Sequence, residues 1–328
     1  MKPPLSSSDL HEEYYQVSPA ILESFPRFRM PLDLFLFKEQ IARLVPLSKA
    51  QQRISPEFRQ EIAEHSAHGL IFVSRQDHPI YAEHISKQLD LVLLDTNLKH
   101  PEIALIFQQA LTEKMEEFLQ QPVAMVLEKL RADILVLTEY LWQDVFRIRE
   151  VAKKTWPEHG LARHSVNVGF LGLALYLRRH QGKVDRKHLD EAALGFFLHD
   201  VGMAKVPRFI LQKTKPLTME ERAKVSEHCW AGAKLLHGLG IRAEAVLKQA
   251  LEHQERLNGK GYPQRLADPQ ISSWGQLCAV VDSFCAMTST RVHAPAKTAS
   301  EALGEMIQDP GYNQKMVRSL QAMILTEL

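Results

Sequence analysis

The chain is short of everything that would mark it for export, for a membrane or for nucleic acid. Only three of its 328 residues are cysteine (Cys229, Cys278 and Cys285). An odd count without framework spacing excludes a disulfide scaffold and fits a reducing compartment. No run approaches the roughly 20 apolar residues that a membrane helix needs. The opening MKPPLSSSDLHEEYY lacks the apolar core of a signal peptide. Charge of one sign is not in excess either. Lys+Arg number 40 and Asp+Glu 39, which leaves no global field to draw in DNA, RNA or a membrane surface. The expectation is a soluble cytoplasmic protein, and the length favours two domains over one.

What is present falls into two unlike halves, α+β overall: a small N-terminal α/β module followed by an all-α helical bundle. In residues 1–95, LDLFLF (Leu32–Phe37) alternates as a strand does, and RLVPL supplies a hairpin partner. Ser55-Pro56-Glu57 starts a helix that Gly69 stops, LIFVS (Leu70–Ser74) follows as a buried strand, and a second helix begins near Asp77. No catalytic constellation stands out there, so a sensory or interaction module is expected. Residues 96–156 read as an amphipathic helical connector broken only near Pro122. Dimerisation through this stalk and packing into the bundle explain its periodicity equally well. From Pro157 to the end the pattern gives helices alone: 157–179, 188–199, 219–236, 242–257, 274–288, 298–307 and 313–325. Thr218 with Glu221 forms a capping box for the third.

Histidines and acids recur along this second half. His164 lies in the first helix, His199-Asp200 ends the second, His228 lies in the third, His253 ends the fourth, and Asp282 sits within LCAVVDSFCAM. Each has an ordinary reading as a satisfied core or surface residue. Asp282 resists it most, because a carboxylate among Val280, Val281, Phe284 and Met287 is costly unless neutralised. A backbone partner for a single buried aspartate is the competing account. Five elements on five successive helices favour a metal site in a bundle core, and mixed N/O ligands suit Fe, Mn, Ni or Zn better than Mg or Ca.

The order H, HD, H, H-x-E-R-x-[DN]-G-x-G-Y-P, D resembles the HD-GYP family, a subgroup of HD metal-dependent phosphohydrolases that hydrolyse cyclic di-GMP. HQERLNGKGYP (His253–Pro263) is the most specific match, and the resemblance covers roughly residues 157–328. It implies an HD-domain bundle with two divalent transition-metal ions, iron first. Asp200 would bridge them. His164, His199 and Asp282 would complete one shell, and His228 and His253 the other. A hydroxide between the metals would attack phosphorus, giving pGpG or GMP. Arg291, nine residues after Asp282, would hold non-reacting phosphate oxygens. Gly259, Gly261, Tyr262 and Pro263 would form the signature loop that shapes the site.

The chain also departs from the family pattern. Gln254 replaces a second histidine and is expected as a poorer ligand of the second metal. Met203 replaces a lysine, leaving Lys205 as the nearby cation. Cys285 stands at a usual aspartate position, and Gly160 stands where some members have a third-metal glutamate. Two metals are therefore the expected maximum. Expected partners are cyclic di-GMP or a related nucleotide, a second copy of the chain, and signalling proteins. A degenerate binding module without turnover is the rival reading.

Overall fold

Side-chain caps begin five of the longer helices. Ser55 accepts from the amide of Phe58, Asp185 from His188 and Ser272 from Gly275. Capping boxes at Thr218/Glu221 and Thr298/Glu301 start two more helices. The computed structural model describes residues 13–26, 28–95, 97–291, 295–326 and 328. Most of the segment read for a signal peptide, residues 1–12, lies outside the described residues, as does position 96, the first of the expected connector. The chain divides into two compact units, residues 1–110 and 111–328.

The first unit is built on a four-stranded antiparallel sheet in the order β1-β4-β2-β3. The strands are β1 (Tyr14–Gln16), β2 (Leu34–Lys38), β3 (Arg43–Ser48) and β4 (Ile71–Ser74). Helices α1 (Pro19–Ser24), α2 (Pro56–Ala67) and α3 (His78–Ser86) accompany them, and α4 (His100–Gln120) begins within this unit. The expected hairpin is β2–β3, while β1 and α1 went unread because they are three and six residues long. Two polar pairs lie within this unit. Tyr81 donates to Asp95 Oδ2 at 2.5 Å, and Arg75 pairs with Glu102.

The second unit is helical: α5 (Ala124–Gln143), α6 (Ile148–Ala152), α7 (Leu161–Arg179), α8 (Arg186–Leu198), α9 (Arg208–Leu211), α10 (Met219–Ser226), α11 (His228–Gly238), α12 (Glu244–Glu252), α13 (Ser273–Thr288), α14 (Ala299–Gln308) and α15 (Gln314–Thr326). Among its described residues there is no strand, only isolated bridges. Four helices close a ring: α7 packs on α8, α8 on α12, α12 on α13 and α13 back on α7. The α5 helix packs on α8, where Arg186 pairs with Glu139 and Asp190. That contact employs part of the stalk's apolar face inside its own unit. Among the described residues no helix is long and apolar enough to cross a membrane.

Three helix expectations need correction. The connector breaks at Asp144 as well as near Pro122. Asp144 takes extended backbone, φ −155 and ψ 103, and its carboxylate accepts from Phe146 N at 3.0 Å. The expected helix 219–236 is interrupted at one residue, Glu227, where His228 Nδ1 donates at 2.6 Å to the Val225 carbonyl. The expected helix 242–257 ends at Glu252, where Arg256 donates to the carbonyls of His253 and Glu255 and Tyr262 N to that of Gln254.

Candidate metal centre

The four-helix ring delivers its polar side chains to one end. His164 lies in the first turn of α7, His199 at the C-terminus of α8, His253 at that of α12, and Asp282 in the buried middle of α13. Asp200 follows His199 as the chain leaves α8 for the 3-10 turn Val201–Lys205, which packs against α11 and so against His228. The approach is close. A Cβ on Gly202 would stand 1.9 Å from the His228 carbonyl and 2.6 Å from Gly232 N, so only glycine fits.

Two groups form at this end. In the first, His164 Nε2 lies 2.8 Å and His199 Nε2 3.7 Å from Asp282 Oδ1, and Gln254 Nε2 donates to Asp282 Oδ2 at 2.9 Å. In the second, Asp200 Oδ1 lies 3.2 Å from His228 Nε2 and 3.8 Å from His253 Nε2, and those two nitrogens are 3.0 Å apart. All six ligand-type residues of the sequence expectation thus converge. Tyr262 stands at the edge, its ring centroid 6.1 Å from that of His228. Lys205 and Arg291 are exposed and outside this buried cluster. Gln254 is placed differently from the expectation: a carboxylate only accepts, so the amide turns its N–H to Asp282 in the first group.

The surrounding backbone sets how the imidazoles act. Nδ1 of His199 lies 2.8 Å from the Phe196 carbonyl, that of His228 2.6 Å from Val225 O, and that of His253 3.1 Å from Gln249 O. A carbonyl can only accept, so each Nδ1 carries a proton, and each ring when neutral turns its Nε2 lone pair to the cluster. Burial works against charge on His199, and the nearby carboxylates of Asp282 and Asp200 overcome it, raising its pKa. Burial, and then His199 and His228, hold His253 well below the imidazole range. Burial alone would raise Asp282, yet the hydrogen bond from His164 and the nearby His199 imidazole hold it well below the carboxylate range.

This donor set fits a metal pair. His199 Nε2 and Asp200 Oδ1 are buried atoms without a hydrogen-bond partner, a cost a protein core rarely bears. Three overlapping groups, His164/His199/Asp282, His199/Asp200/His253 and His228/Cys229/His253, each keep their donor atoms within 4.8 Å.

Supporting residues escaped the sequence reading. Buried Glu255 accepts from the amides of Gln264 at 2.6 Å and Leu266 at 3.0 Å, tying down the loop that carries Gly259, Gly261, Tyr262 and Pro263. A Cβ on Gly261 would meet Arg256 N at 2.4 Å. Buried Glu252 accepts from Ser272 N and Oγ at 2.8 and 2.5 Å, fixing the start of the helix that bears Asp282. Acids on an amphipathic helix read as a solvent face, so Glu252 carried no signal. Glu255 was visible only as a fixed letter of the motif.

Comparison with known proteins agrees with this geometry. The family described as HD domain matches residues 149–314, half of the chain. The chain belongs to the HD-domain family, and its motif order is of the HD-GYP type. It is 36% identical over 149 residues to a cyclic di-GMP phosphodiesterase of Pseudomonas aeruginosa, covering 45% of this chain and 35% of that protein. It is 34% identical over 149 residues to a cyclic di-GMP phosphodiesterase of Thermotoga maritima, covering 44% and 39%. A 3′3′-cGAMP-specific phosphodiesterase of Vibrio cholerae is 32% identical over 126 residues, covering 38% and 24%. The matches therefore span well under half the length of these relatives. A solved HDG"Y"P protein of Bdellovibrio bacteriovorus shares the fold, with TM-score 0.62 at 16% identity over 95% of this chain and 99% of that one.

Proposed function

We propose that this chain is a metal-dependent phosphodiesterase that hydrolyses cyclic di-GMP to pGpG or GMP. The observation that carries the reading is the buried cluster of four imidazoles and two carboxylates, with His199 Nε2 and Asp200 Oδ1 unpartnered. The chain is 36% and 34% identical over 149 residues to two proteins named for that activity. His164, His199 and Asp282 would hold one divalent metal and His228 and His253 the other, with Asp200 reaching both. Iron is the first choice, then Mn, Ni or Zn. When bound, such a pair supplies Lewis-acid charge at the phosphoryl oxygens and lowers the pKa of water.

The chain's own residues do the rest. Backbone carbonyls hold three imidazoles in the ligating tautomer. Arg291, exposed three residues beyond α13, reaches non-reacting phosphate oxygens. Lys205 supplies cationic charge on the side where Met203 supplies none. The loop of Gly259, Gly261, Tyr262 and Pro263, clamped by Glu255, shapes the entrance.

The test is turnover of cyclic di-GMP by anaerobically purified, metal-analysed protein, with 3′3′-cGAMP in parallel because one relative is named for it. Linear product from the wild type and none from Asp200→Ala supports the reading. Arg291→Ala should weaken nucleotide binding and leave metal content unchanged. A second reading, a binding module without turnover, is favoured by Met203 and by the engagement of Gln254 with Asp282. Full metal content and nucleotide binding without product would select it.

A further inference from the structure

One donor beside the second group has no role in the motif. Cys229 follows His228 in the first turn of α11 and is buried, with Sγ 3.4 Å from His228 Nε2. Its sulfur, His228 Nε2 and a donor of His253 all lie within 4.8 Å of one another. Cys278 and Cys285 are equally buried but belong to no such group among the described residues. We propose that Cys229 is a thiolate ligand of the metal held by His228, His253 and Asp200, standing in for the imidazole that position 254 lacks. The proposal rests on the di-metal reading above.

The spacing of the donors favours it. Around one tetrahedral ion, two N or O donors stand about 3.3 Å apart and an N and an S donor about 3.6 Å, given the usual bond lengths. Here the separations are 3.0 Å between His228 and His253, 3.2 Å between His228 and Asp200, 3.8 Å between His253 and Asp200, and 3.4 Å between Cys229 and His228. The three N/O separations straddle their ideal, the N–S one lies just inside its own, and three of the four share His228 Nε2. Gln254 is drawn away, its amide committed to the other carboxylate. Two neutral imidazoles, a carboxylate and a thiolate neutralise a divalent ion. On binding, the S–H bond is replaced by a metal–sulfur bond and the proton passes to solvent. A soft sulfur donor gives this half a preference for zinc or ferrous iron that the other half lacks.

The experiment uses the full chain loaded with cobalt(II). The wild type and Cys278→Ala should show a thiolate-to-cobalt charge-transfer band in the near ultraviolet. Cys229→Ser should lose the band, with cobalt falling from two ions per chain to one or the second binding at least tenfold more weakly. X-ray absorption of the zinc-loaded wild type should show sulfur at about 2.3 Å, a readout that stands if Cys229→Ser does not fold. Two cobalt ions bound without the band, or a zinc shell without sulfur, overturn the role of Cys229 and leave the di-metal reading intact. Failure of the wild type to take up cobalt overturns both.

Discussion

The two halves of the cluster face the same problem, buried polar atoms, and resolve it differently. Around Asp282 the protein supplies its own counter-groups: His164 at 2.8 Å and the Gln254 amide at 2.9 Å, with His199 close by. Around Asp200, two imidazoles turn lone pairs toward each other at 3.0 Å, and the carboxylate oxygen between them has no hydrogen-bond partner. The first half holds its charge with protein donors. The second has only the weak thiol donor of Cys229, 3.4 Å from His228 Nε2, so a cation would complete it far more than the first. The halves should differ in how much of their order survives without metal, and each variant below separates them.

The largest effect is expected at the shared residue. Asp200→Ala removes the one carboxylate that both halves reach and should abolish hydrolysis and empty both sites. Metal counting by inductively coupled plasma analysis checks this, and one ion retained per chain would restrict Asp200 to a single half. Next comes Gly202→Ala. Its Cβ would collide with the backbone of α11 at the His228 carbonyl, so the helix must retreat. A cost of about 1–3 kcal/mol is expected, with loss of the second metal and retention of the first. Equal loss of both would mean that the halves are not independent.

Gln254→Ala gives a smaller effect and places that residue. The family resemblance implies Gln254 as a ligand of the second metal, whereas its N–H lies on the carboxylate of the first half. Removing an outer partner of a ligand weakens binding by roughly tenfold or more. That loss should fall on the first site in competitive titrations, with the second unchanged.

The same example shows what the sequence carried. His164, His199, Asp200, His228, His253 and Asp282 were legible because each stands at a fixed point of a long motif, and caps at Ser55 and Thr218 marked helix starts. Tertiary partners were not legible. Nothing local told that Gln254 would turn to Asp282, twenty-eight residues on, or that Gly202 and Gly232 let two backbones meet. The break at 227 is the sharpest case. The helical pattern of 219–236 is real but for one residue, beside which the His228 imidazole donates to the Val225 carbonyl. Strand β1 forms only by pairing with β4, fifty-eight residues away at Tyr15 and Val73, so three residues alone gave no signal.

The smallest effect is on the pH dependence of the metal-free protein, where the two halves pull in opposite directions. His199 has a raised pKa in the folded state, chiefly through Asp282 working against burial. Its stabilisation is complete below the unfolded histidine value of about 6.5 and is lost as pH rises through the raised value. His253 has a lowered pKa, set first by burial. Below about pH 6.5 the unfolded chain takes up a proton that folded His253 refuses, so stability falls on acidification. Metal-free wild type should therefore be most stable near pH 6.5, with a slope on either side of at most about 1.4 kcal/mol per pH unit for each proton involved. Asp282→Asn removes the main cause of the raised His199 value and keeps the burial of His253. Its thermal midpoint should fall below pH 6.5 as in the wild type but stay level above it. A wild-type profile that keeps rising from pH 6.5 to 8 would mean that Asp282 does not hold a proton on His199, and the first half would then need its cation as much as the second.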